Sequence, residues 1–196
     1  AERLDIAPIQ FRILNVARKG TRRADGVVHG RIGALEIMEA VKQHSHFSAS
    51  LNGKLGGRGM AVGFWLNGTG PASVMASINS DGTVNLVEGS VDIGGSRTAV
   101  AQQFAEILNI PVEDVNPQIA DTDSIGYTSN TGGSSVAFKS GWAAYEAAKD
   151  VKRQMIERVA MLWETTIDDV QYVDGAFQHK TDSELYSTFK EVAAIL

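Results

Sequence analysis

A chain of 196 residues, 43% hydrophobic and 21% charged, is large enough for one domain, or two small ones, with a real core. It has no cysteine, which excludes disulfides, iron–sulfur ligation and thiolate zinc within the chain. The net charge of −5 argues against a nucleic-acid surface, and no apolar run reaches membrane-spanning length. With no signal peptide in view, the expectation is a cytoplasmic protein without membrane contact.

In chain order, Pro8 suits the first turn of a helix running to about residue 18, with Phe11, Ile13, Leu14 and Val16 as its apolar positions. Arg18-Lys19-Gly20-Thr21-Arg22-Arg23 is a cationic cluster that reads as a solvated loop in an acidic chain. Leu35, Ile37, Met38 and Val41 recur at helical spacing over residues 34–44. His44 and His46 read as helix-end histidines rather than metal ligands, since no third ligand lies near. Residues 47–56 are polar and form a linker. A β-meander is expected from about 58 to 91: an apolar run over 59–66, an alternating strand over 72–79, an Asp81-Gly82 hairpin turn and a return strand over 83–91. A helix over 96–109 ends before Ile110-Pro111, because a residue preceding proline avoids the helical region. A strand follows within 112–121. A long helix is expected to start within about four residues of Ser134 and run to 162, with Ala144, Ala148, Val151, Met155, Val159 and Leu162 at the three- and four-residue spacing of an inward face. Gly141, Ala143, Ala144, Ala147 and Ala148 thin its first half, so another element should pack close there. Residues 170–178 read as a hairpin through Asp174-Gly175, and Thr181-x-x-Glu184 as a capping box opening a last helix with Leu185, Phe189 and Val192.

Two of these turns share a chemistry. Gly94-Gly95-Ser96-Arg97-Thr98 opens the first long helix, and Thr131-Gly132-Gly133-Ser134-Ser135 opens the second. A helix start carries free N–H groups and the positive end of the dipole, and glycine lets a ligand approach the backbone closely. Two such starts aimed at one exposed depression would cradle an oxyanion or phosphate. These ten residues are the candidate ligand contacts, with Arg97 either adding a full charge or packing along its helix. A nucleotide- or sugar-phosphate-binding module would use the same starts, although the P-loop lysine pattern and the G-x-G-x-x-G fingerprint are missing. A non-catalytic assembly module, with the thin Ala/Gly face as its interface, is the third possibility. Asp121-Thr122-Asp123 reads as a polar turn rather than a metal site.

Taken together, these residues resemble the cofactor-binding large subunit of the xanthine dehydrogenase/aldehyde oxidase family of molybdenum hydroxylases. The likeness runs through Ile93-Gly94-Gly95-Ser96-Arg97-Thr98, Gln102 or Gln103, Ala105-Glu106-Ile107-Leu108-Asn109-Ile110-Pro111, Asp121-Thr122, Thr131-Gly132-Gly133-Ser134-Ser135-Val136-Ala137 and Gly141-Trp142-Ala143-Ala144. A weaker likeness at Pro8, Arg12 and Asn15 extends it toward the start. Order and spacing carry the resemblance, and residues 86–150 are its specific part. Gly94 stands where the family usually has a glutamine that contacts the pterin.

The resemblance implies a molybdenum-pyranopterin cofactor, either molybdopterin or its cytosine dinucleotide. It also implies iron–sulfur clusters and FAD on other domains or subunits, a small aldehyde or heteroaromatic substrate, and an oligomeric parent enzyme. No catalytic residue and no metal ligand is assigned within this chain. The fold expected is α+β, a mostly antiparallel or mixed sheet with packed helices. The division expected is a helical and linker segment over 1–56 and part of the molybdopterin-binding domain over 57–196. The chain begins Ala1-Glu2-Arg3 and stops at Ile195-Leu196 inside an apolar helical pattern, so a stretch of a longer protein, inactive by itself, is expected.

Overall fold

The computed structural model describes residues 1–65 and 68–196. The chain divides into two compact units, Ala1–Phe64 and Trp65–Leu196. In the first unit, α1 (Pro8–Asn15) places Pro8 in its first turn, where the missing N–H costs nothing. It buries Ile9 and Ile13 against Met38 of α2 (Ala34–Gln43), and a short α3 (Ser45–Ser48) follows. His44 accepts the backbone N–H of His46 through Nδ1 at 3.2 Å, so this pair ends one helix and starts the next. The cationic loop folds on itself: Arg23 pairs with Asp25 at 2.7 Å, and Arg22 donates to Gly26 O at 3.1 Å.

The second unit carries a three-stranded sheet, β1 (Val74–Ile78), β2 (Val84–Glu88) and β3 (Val115–Ile119), in that spatial order. β1 and β2 form the expected hairpin, whose turn sets Gly82 at φ 84 and lets Asp81 accept the N–H of Thr83 at 2.9 Å. β3 joins parallel to β2, which requires the intervening crossover helix α4 (Ser96–Leu108). The apolar run over 59–65 is not a strand, and Leu66, its last residue, lies outside the described residues. The extended meander from 58 is therefore corrected to one hairpin plus a parallel strand. The run lacks the polar–apolar alternation of a half-buried strand, and Val62, Phe64 and Trp65 are exposed.

The long helix α5 (Val136–Leu162) starts two residues after Ser134. Its thin face is covered by α4: the amide of Gln103 lies where a Cβ on Gly141 would sit. Val84 and Leu86 of β2 pack with Val100, Phe104 and Leu108 of α4 and with Ala144, Ala148 and Met155 of α5 in one core. Leu162, at the helix end, is 43% exposed.

A second sheet closes the unit: β4 (Val170–Val173), β5 (Ala176–His179) and β6 (Tyr186–Thr188), all antiparallel, followed by α6 (Phe189–Ala193). The capping box is Thr188–Glu191 rather than Thr181–Glu184. Thr188 Oγ1 accepts the Glu191 N–H at 3.2 Å, and Glu191 Oε2 accepts the Thr188 N–H at 2.8 Å. The N–H groups of Thr181 and Asp182 go instead to His179 Nδ1, at 3.3 and 3.1 Å, making a turn that feeds β6. Among the described residues, six α-helices and two small sheets of mixed and antiparallel strands make the fold α+β. No helix among the described residues is long and apolar enough to cross a membrane.

Candidate functional site

β2 and β3 are parallel and in register, so they end at one edge: Glu88 pairs with Ile119, and Ala120 N donates to Glu88 O at 2.9 Å. From that edge one connection enters α4 and the other enters α5. The start of α5 is tied back to it by Ser140, whose hydroxyl shares a buried 2.7 Å hydrogen bond with Ser90, two residues beyond β2. Both glycine-rich turns therefore belong to the carboxyl end of the parallel strand pair, the place where open α/β sheets bind ligands. The depression between the helices is lined by Ala99 and Gln103 of α4 and by Ala137, Phe138, Gly141 and Trp142 of α5, not by the turn residues themselves.

The two starts differ in chemistry. At the first, Asp92 is already a bound anion. Its Oδ1 accepts the N–H groups of Gly94, Gly95 and Ser96 at 3.1, 2.9 and 3.0 Å. Its Oδ2 accepts Arg97 Nε at 3.0 Å. The Arg97 hydrogen bond, followed by those backbone donors, holds the Asp92 carboxyl well below the usual carboxylate range. Ser96 is buried, and its hydroxyl is shared among Asp92, the Val91 carbonyl and the Ile93 N–H. Gly94 and Gly95 have φ of 98° and 102°, and space for a Cβ lies open at both. Thr98 is exposed.

At the second start the donors have no such occupant. No acceptor among the described residues takes the N–H groups of Val136, Ala137 or Phe138, and Ser135 makes no side-chain cap. Thr131, Gly132 and Ser134 are exposed. Gly133 (φ 60) and Ser134 (φ 56) are both left-handed, which turns the chain sharply into the helix. Ser134 Oγ accepts Trp65 Nε1 at 2.8 Å, while Ser135 is buried with its hydroxyl on Gly132 O at 2.7 Å. So Ser96 and Ser135 shape the turns from inside. The exposed candidates are Gly94, Gly95, Arg97, Thr98, Thr131, Gly132 and Ser134, with Gly133 half-buried.

Three residues that sequence reasoning did not single out complete the site. Asp92 occupies the first start. Lys139, 3% exposed, donates from Nζ to Ser129 O, Ser129 Oγ and Asn130 O at 2.5, 2.9 and 2.8 Å. Glu88, 1% exposed, has no hydrogen-bond partner for either carboxylate oxygen among the described residues. Burial, then the nearby Asp92 charge, raise its pKa to about 7, with Arg97 pulling the other way. The alternation that puts Val84 and Leu86 inward also points Glu88 inward, a signal that was available from the sequence. Asp121 accepts the Asp123 N–H at 2.9 Å in a plain polar turn. No group of three metal-ligating side chains occurs among the described residues.

The fold is an α+β domain whose two glycine-rich turns lie at one end of a parallel strand pair. Residues 34–196 match the molybdopterin cofactor-binding domain family, and the chain belongs to that family. It is 25% identical over 198 residues to the nicotine 6-hydroxylase large subunit of Paenarthrobacter nicotinovorans, covering 89% of this chain and 24% of that protein. It is 26% identical over 192 residues to the putative xanthine dehydrogenase molybdenum-binding subunit XdhA of Escherichia coli K12, covering 89% of this chain and 25% of that one. The structure of quinoline 2-oxidoreductase from Pseudomonas putida 86 superposes with a TM-score of 0.69 at 18% identity, over 99% of this chain and 28% of that chain, and shares the fold. The chain spans about a quarter of the length of the curated relatives it matches.

Proposed function

We propose that this chain contributes cofactor-binding turns to a molybdenum-dependent dehydrogenase or oxidase that hydroxylates a small aldehyde or heteroaromatic substrate. The observation that carries the reading is the start of α5. Three N–H groups without a partner among the described residues, and the Thr131 and Ser134 hydroxyls, can donate there to the phosphate or pyrophosphate tail of a pyranopterin. The donor set fits that group: it is neutral to cationic and glycine-rich, Thr131, Gly132 and Ser134 are exposed, and the Lys139 ammonium holds the segment just before them. The first turn offers open backbone at Gly94 and Gly95, suited to a flat ring lying against it rather than to a second anion. The bound cofactor would supply the oxygen- and electron-transfer chemistry, while this chain's residues hold and orient it. Electron acceptors would be iron–sulfur and FAD domains or subunits of the same oligomeric, cytoplasmic enzyme. In this reading residues 57–196 form part of the pterin-binding domain and residues 1–56 lead into it.

Gly133→Ala and Gly133→Asp in the enzyme containing this chain test the proposal. Both strain a left-handed position, so both lower the melting temperature. Only the aspartate sets a carboxylate where a phosphate oxygen is to sit, so it alone is expected to abolish molybdenum retention. Full molybdenum loading in a folded Gly133→Asp protein removes this turn from the site.

A further inference from the structure

The second turn rests on a buried cation. Lys139 lies one turn into α5, 3% exposed, and its Nζ takes three acceptors, all of them neutral: two backbone carbonyls and a hydroxyl. No carboxylate among the described residues pairs with it; the ion pairs are elsewhere, at Arg23, Arg97, Lys149 and Arg153. A buried charge without a counter-ion is costly, and a chain that only needed to fasten this loop could do so with a neutral donor. The acceptors are also informative. Ser129 and Asn130 immediately precede the Thr131–Gly133 turn, so the ammonium fixes the segment from which the turn departs. The contrast with the first turn is direct: there Asp92 takes the N–H groups of Gly94, Gly95 and Ser96 and pairs with Arg97, leaving an anion no free backbone donor at those three residues.

We propose that Lys139 is a positioning residue for the cofactor's anionic group. It locks the 129–130 carbonyls and thereby sets the 131–135 turn, and its uncompensated charge adds to the dipole of α5. The anionic end of the ligand is then held at the second turn alone. This rests on the cofactor reading above.

The test uses the full chain, isotope-labelled, titrated with inorganic pyrophosphate and followed by amide NMR, with the melting temperature recorded for each variant. In the wild type, pyrophosphate is expected to shift the amides of residues 132–138 and to leave those of 94–96, which Asp92 occupies, unmoved. Lys139→Met keeps the side-chain length and removes the charge. It is expected to weaken pyrophosphate at least about tenfold, as loss of a buried unit charge beside the turn implies. Ser129→Ala removes one of the three acceptors and keeps the charge. It is expected to lower the melting temperature while leaving pyrophosphate affinity within about threefold, a separation that a merely structural role would not give. Unchanged affinity in a folded Lys139→Met protein overturns the role of Lys139 while leaving the cofactor reading standing. Absence of any shift at 132–138 in the wild type overturns both. Should Lys139→Met not fold, the wild-type Lys139 ammonium signal decides the matter: pyrophosphate must shift it, and an unmoved signal overturns the proposal.

Discussion

Glu88 gives the sharpest stability test. Its side chain is 1% exposed, faces the core beyond Leu86 and finds no partner among the described residues. Burial raises its carboxyl from the ordinary 4.5 to about 7. Below about pH 4.5 the group is protonated in both the folded and the unfolded chain and has no effect on stability. Between about 4.5 and 7 the unfolded chain has released the proton and the folded chain still holds it, so stability falls as pH rises. Above about pH 7 the whole penalty is present. At about 1.4 kcal/mol per pH unit of displacement, it comes to about 3 kcal/mol. Glu88→Gln removes the ionisation, and Glu88→Met also removes the unpaired polar atoms. Glu88→Gln is expected to match the wild type near pH 4 and to exceed it at about pH 8 by about 2–3 kcal/mol, or several degrees in melting temperature for a chain of this size, and Glu88→Met is expected to exceed Glu88→Gln at both pH values. Urea unfolding at several pH values reads this as a difference curve, in which groups common to both proteins cancel. Parallel curves for wild type and Glu88→Gln would refute the buried, unpartnered carboxyl.

Three further outcomes follow from the packing. Phe104→Ala, at a fully buried position between sheet and helices, is expected to lose about 3–5 kcal/mol in urea unfolding. Gly141→Ala must push aside the exposed Gln103 amide and break its bond to Ala137 O at 3.3 Å, a loss of about 1 kcal/mol that the gain in helix propensity offsets, so its own effect is expected to be near zero. Gln103→Ala with Gly141→Ala should then be more stable than Gln103→Ala by about 1 kcal/mol, measured as a double-mutant cycle. Tyr172→Phe removes the hydroxyl that donates to Leu108 O, whose burial pushes the phenol pKa up, and is expected to cost about 1 kcal/mol and to flatten any alkaline unfolding step.

Much of this architecture was legible in the sequence because local signals agreed with the global fold. Pro8, the Asp81-Gly82 and Asp174-Gly175 turns, Ile110-Pro111 and the small-residue face of α5 each mark an element boundary or contact found in the structure. Two readings failed where a short motif or an apolar run was taken without its context. Thr181-x-x-Glu184 has the capping-box letters, but the Thr181 N–H goes to His179 Nδ1 and the Glu184 N–H to Asp182 Oδ1, and the same motif at Thr188–Glu191 opens the helix. The run over 59–65 is apolar but unpaired. At the candidate site, the pattern of glycines and hydroxyls located both turns. The difference between them was hidden, because it depends on which side chain reaches the free donors. Asp92 lies two residues before Gly94 and fills its turn from within, whereas Lys139 reaches back ten residues to Ser129 from inside a helix, where sequence spacing gives no cue.

If the two turns hold the cofactor, the assembled protein carries a molybdenum-bearing, phosphorylated pterin. Elemental analysis of the purified enzyme that contains this chain tests it most directly. Molybdenum and phosphorus are expected together, in stoichiometric amounts, both lost on Gly133→Asp. Phosphorus without molybdenum, or neither element in a folded and fully assembled protein, would contradict it.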